Sequence, residues 1–104
     1  MLAYRFDFYV PRSYNDGSPI EDEKFVLTRR EIIQRLRALS WMGDAGDPPI
    51  QGFWEHEGTE YYDRNDWVTV CTPREQEHKD WFQAYKETLK ERFQQLEIFL
   101  SVKK

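Results

Sequence analysis

The stretch WVTVCTPREQEHKDWFQAYKETLKERFQQLEIFLSV, residues 67–102, changes its hydrophobic period twice, and those two changes decide the fold. Val68 and Val70 alternate with Trp67, Thr69 and Cys71, the two-residue period of a strand. Thr72-Pro73-Arg74-Glu75 then combines a Thr cap, a proline at the first helical position and a Glu at the third, which predicts a helix reaching about Gln94. His78, Trp81, Phe82, Tyr85, Leu89 and Phe93 share one arc of its wheel, about 120° wide, as a helix lying on a sheet requires. The period returns to two from Leu96, where Leu96, Ile98, Leu100 and Val102 alternate with Glu97, Phe99 and Ser101.

Upstream, the same order occurs again. Leu2, Tyr4, Phe6, Phe8 and Val10 alternate with Ala3, Arg5, Asp7 and Tyr9 to give a first strand, which Pro11 ends. Residues 11–27 form a long connection with a turn at Asn15-Asp16-Gly17, and Ser18-Pro19-Ile20-Glu21 is able to cap a short helical turn. Thr28 with Glu31 makes a capping box and Leu27 with Ile32 a hydrophobic staple, which predicts a helix from residue 29 with Ile32, Ile33, Leu36 and Leu39 on its buried face. Gly43, Asp44, Gly46, Pro48 and Pro49 close that helix. Ile50 to His56 reads as a second strand, Glu57-Gly58 as a hairpin turn, and about Glu60 to Thr72 as the return strand, with a bulge or an irregular break expected at Asp63-Arg64-Asn65-Asp66.

The resulting order is βαββαβ, an α+β ferredoxin-like sandwich in which a four-stranded antiparallel sheet carries two helices on one face. At 104 residues the chain is expected to form a single ferredoxin-like domain over 1–104. Aromatic rings are as numerous as Ile, Leu and Val together, so rings are expected to fill much of the core. A net charge of −4 gives no long-range attraction to nucleic acid or an anionic membrane. One cysteine and no apolar run of membrane-spanning length point to a cytoplasmic protein without disulfides.

If the helices cover Phe6, Phe8, Val68, Val70, Ile98 and Leu100, the other face shows Asp7, Tyr9, Trp67, Thr69, Cys71, Glu97 and Phe99, with Phe53 or Trp54. That face is unusually aromatic for one meeting water, so the leading reading is a noncatalytic binding or regulatory module. It would associate as a homodimer or with a protein partner, anchored by Tyr9, Trp67 and Phe99. Alternatively, loops fold back over the face. A further alternative is an RNA-binding module stacking bases on Tyr9 and Trp67, opposed by the absence of an RNP-like pattern and by Asp7 and Glu97.

The competing class is a small enzyme using polar groups of the hairpin and first loop: Arg12, Glu55, His56 and Asp63, with Glu57 and Asp66 nearby. No His-Glu-x-x-His or paired Cys-x-x-Cys is present, so no metal and no cofactor are assigned. Cys71 and His78 are also able to form a nucleophilic pair, although a structural histidine is the simpler explanation. Acylphosphatases share this element order and bind phosphate in the loop after the first strand, but their Gly-rich, Arg-containing signature is absent from Arg12-Ser13-Tyr14-Asn15-Asp16-Gly17.

Gly52-Phe53-Trp54, Gly58, Tyr61-Tyr62-Asp63, Trp81-Phe82, Tyr85-Lys86, Leu89 and Phe93-Gln94 together resemble a family of small uncharacterised bacterial α+β domains. The resemblance implies a bacterial origin and a ferredoxin-like fold and carries over no catalytic residue.

Overall fold

The computed structural model describes residues 3–43 and 50–104, with the backbone alone at 50–52, 54, 56 and 61–63. Alternating residues build β1 (Ala3–Pro11), followed by α1 (Asp22–Leu36), β2 (Ser40–Met42), β3 (Ile50–His56), β4 (Thr59–Pro73), α2 (Gln76–Arg92) and β5 (Leu100–Lys103). All pairings are antiparallel: β4 lies beside β1 from Ala3↔Pro73 to Pro11↔Asn65, and β1 beside β5 from Arg5↔Lys103 to Phe8↔Leu100. β2 pairs with Thr69–Trp67 and β3 with Asn65–Thr59, so these two short strands occupy successive stretches of one edge of β4. Across the sheet there are thus four strand positions with two helices, the expected α+β ferredoxin-like arrangement.

The core forms where the helices meet Phe6, Phe8, Val10, Val68 and Val70, which are buried together with Phe25, Ile32, Phe82, Leu89, Phe93 and Ile98. Phe82 of α2 stacks on Phe6 with ring centroids 4.1 Å apart and touches Phe8 obliquely at 6.2 Å. The apolar arc expected for α2 is the one that is buried.

The boundaries depart from expectation where a polar residue serves tertiary structure. Thr28 is not a cap: α1 begins at Asp22, and Thr28 is buried mid-helix, its Oγ1 donating to the Lys24 carbonyl at 2.7 Å. Phe25, Thr28 and Ile32 form the buried stripe, which leaves Ile33 47% exposed. The helix stops at Leu36, where Arg37 takes a left-handed φ of 73° and donates to the Ile33 carbonyl, so Ser40–Met42 is strand rather than helix. Asp44 to Pro49, assigned to a breaker-rich loop, lie outside the described residues.

Pro73 likewise ends β4 opposite Ala3 instead of opening α2, and Thr72 Oγ1 donates to the Pro73 carbonyl rather than capping the helix. The bulge or break expected at 63–66 is absent, because Asp63, Arg64 and Asn65 keep register with Gly52, Gln51 and Ile50. Glu57 and Gly58 have φ of 52° and 78°, the paired left-handed conformation of the tight hairpin turn expected there. Leu96 is 92% exposed, and the last strand begins only at Leu100, with Ile98 buried ahead of it.

Candidate functional site: the open face of the sheet

Alternation along β1 sends Arg5, Asp7 and Tyr9 away from the helices, and the strand register sets each within a cross-strand row. Arg5 lies between Cys71 and Lys103, Asp7 between Thr69 and Ser101, and Tyr9 opposite Trp67. The backbone N–H of Tyr9 donates to the Phe99 carbonyl at 3.3 Å, and the two rings stack at 4.9 Å with their planes 21° apart. The face therefore grades from a cationic end through a carboxylate to an aromatic end, where Phe99 is 53% exposed.

Asp7 at its centre is buried, although the sequence placed it on the open face. Trp67 Nε1 donates to its Oδ1 at 3.2 Å and Arg5 Nε to its Oδ2 at 3.0 Å. Burial pushes this carboxyl up, but the neighbouring Thr69 side chain and the hydrogen bonds from Trp67 and Arg5 outweigh it and hold the group below the ordinary aspartate value. Trp67 is thus oriented by Asp7, and the three sequence-assigned anchors Tyr9, Trp67 and Phe99 do lie together at one end of the face. Phe53 does not join them. It is exposed, and it pairs with Tyr62 in the hairpin, beyond the stretch of β4 that lies beside β1.

The polar residues assigned to hairpin and loop have different surroundings. Arg12 Nη1 bonds Asp66 Oδ2 at 2.9 Å, and Trp41 Nε1 donates to the same oxygen at 2.7 Å. Asp66 is fully buried, and its Oδ1 has no hydrogen-bond partner among the described residues. Burial raises its pKa against the opposing influence of Trp41, Arg12 and Arg29. Arg12 also lies 4.8 Å from the centre of the Phe25 ring, and Arg29 5.5 Å from that of Trp41. Glu55 is exposed at the far end of the hairpin, opposite Glu60, and the side chains of His56 and Asp63 lie outside the described residues. Arg12 is thereby joined to Asp66 rather than to Glu55. Period two counted from Val68 and Val70 would have placed Asp66 on the buried face and singled it out.

Cys71 and His78 do not form a pair. Cys71 is exposed on the open face beside Arg5, whereas His78 is buried with its Nε2 3.3 Å from Glu75 Oε2. Glu75, Glu77 and His78 bring ligand-type atoms within 4.8 Å of one another, but the imidazole nitrogen lacking a partner is Nδ1, not the Nε2 that meets Glu75. The sequence also gave no sign of a polar clasp between the helices: Arg92 meets Glu31 at 2.6 Å and Thr28 Oγ1 at 2.8 Å, while Tyr85 Oη donates to Glu31 at 3.1 Å.

No family model matches the chain, and no curated protein matches it. Solved structures do match in fold. A phage SAM lyase in complex with S-methyl-5'-thioadenosine is similar over 98% of this chain and 81% of its own, with a TM-score of 0.74 and 14% identity. The divalent cation tolerance protein Cut A1 of Thermus thermophilus is similar over 99% of this chain and 84% of its own, with a TM-score of 0.63 and 11% identity. These likenesses establish a small α+β fold. No helix among the described residues is long and apolar enough to cross a membrane.

Proposed function

We propose that this chain is a noncatalytic binding or regulatory module that associates through the open face of its sheet, with a second copy of itself as the simplest partner. The observation that carries the reading is the aromatic end of that face, where Phe99 stacks on Tyr9 beside Trp67 and stays half exposed. The projecting hairpin supports it. Thr59–Arg64 of β4 pair with β3 alone, beyond the reach of β1, and a two-stranded hairpin by itself is marginally stable in water. A second copy offers both features a surface. Stacking of bases on Tyr9 and Trp67 is opposed by the Asp7 carboxylate beneath them, which stays ionised at neutral pH.

The test is solution mass by light scattering over a concentration series, for the wild type, Trp67→Glu and Phe99→Glu. Phe99→Glu leaves the Trp67–Asp7 hydrogen bond in place, so it separates lost association from lost folding. Wild-type dimer and variant monomer with unchanged circular dichroism is the expected result. A wild type monomeric at every concentration would overturn the reading.

A second reading, a small enzyme working through the first loop and β4, is favoured by the Oδ1 acceptor of Asp66, which lies beside Arg12 and has no hydrogen-bond partner among the described residues. The fold likeness to a phage SAM lyase makes SAM the substrate to try. Formation of S-methyl-5'-thioadenosine from SAM, lost in Asp66→Asn, would support this reading; no product from the wild type would sink it.

A further inference from the structure

At the end of the open face opposite the aromatic residues, the start of β1, the segment joining β4 to α2 and the end of β5 enclose an open groove of about 480 Å³. Its cations are Arg5, Arg74, Lys103 and Lys104, in a chain whose net charge is −4. Arg5 gives its Nε to Asp7 at 3.0 Å. Arg74, Lys103 and Lys104 form no ion pair among the described residues. The exposed Arg74 guanidinium instead sits 5.8 Å from the centre of the buried Tyr4 ring. Cys71, exposed and directly opposite Arg5, lies in the same groove.

We propose that this groove binds a compact, phosphate-bearing small molecule of the diphosphate class. Its volume lies within the range of small-ligand clefts. Cations lining an open groove raise the local concentration of anions, and a guanidinium fork matches phosphate geometry. The net charge of −4 favours a small anion over a nucleic-acid backbone, because a long polyanion extends past the groove along a chain with more acidic than basic residues. The site is built by one chain and lies two cross-strand rows from Tyr9 on the same face, and the Phe99→Glu variant below separates its occupancy from self-association.

Cys71 makes the test direct, through its alkylation rate by iodoacetate and by neutral iodoacetamide. At low ionic strength the groove is expected to favour the anionic reagent about tenfold relative to a free thiol, and salt should screen that preference. Inorganic pyrophosphate should protect Cys71 saturably at submillimolar concentration, in the wild type and equally in Phe99→Glu. Protection should be lost when Arg74→Gln and Lys103→Gln, both on exposed side chains, are combined. Protection no greater than that given by sodium chloride of matched ionic strength, or persisting in the double variant, would overturn the proposal.

Discussion

Replacing Arg12 with Met removes the one cation that, among the described residues, is bonded to the fully buried carboxylate of Asp66, while conserving much of the aliphatic stem. Taking one partner from a buried ion pair costs about 3–5 kcal/mol, because the remaining charge is left uncompensated. Trp41 still donates to Oδ2 and Arg29 is still near, so the loss at pH 7 should fall at the lower end, about 3 kcal/mol. With a urea dependence of about 1–3 kcal/mol/M, the unfolding midpoint should drop by about 1–3 M. The pH dependence supplies the sharper check. Burial raises the folded-state pKa of Asp66 above its unfolded value, so the folded protein binds this proton more tightly. That preference is fully present below the unfolded pKa and is lost as pH rises through the folded one. The carboxyl is therefore least costly in acid, and the difference between wild type and Arg12→Met should shrink as pH falls. Urea titrations at pH 7 and at successively lower pH measure it directly. A difference below about 1 kcal/mol at pH 7, or one unchanged across the pH range, would refute the account of Asp66 as a buried charge held by Arg12.

Phe82→Ala should destabilise the protein by about 3–5 kcal/mol in urea unfolding, since the ring is buried against Phe6 and Phe8 and its loss opens a cavity. Asp7→Asn should cost stability at neutral pH and progressively less in acid: the Asp7 pKa is lowered by folding, so its contribution is present above the unfolded value near 3.8 and lost as pH falls through the folded one. Thermal unfolding of wild type and variant at pH 7 and pH 3 should show the two curves converging. Tyr85→Phe should cost only about 0.5–1.5 kcal/mol in the same urea assay, because Arg92 and Glu31 keep their own ion pair after the hydroxyl is gone.

Hydrophobic period alone determined that two strand–helix–strand units exist here, that Phe6, Phe8, Val68 and Val70 turn toward the helices, and that Tyr9, Trp67 and Phe99 share the other face. Period is a local property of the chain, and side-chain direction in a strand follows from it. Tertiary structure decided the polar residues. Thr28 carries the signature of a cap, yet it is buried mid-helix because Arg92, 64 residues away, and the Lys24 carbonyl satisfy its hydroxyl. Asp63 to Asp66 carry residue types disfavoured in strands, yet β4 runs through them because Arg12 and Trp41 receive the Asp66 carboxylate. The cationic groove was illegible for the same reason: Arg5, Arg74 and Lys103 come from three distant segments, and only the register of β1 with β4 and β5 brings them together. A polar side chain takes its partner from whatever the fold delivers, and its own neighbours in sequence do not name that partner.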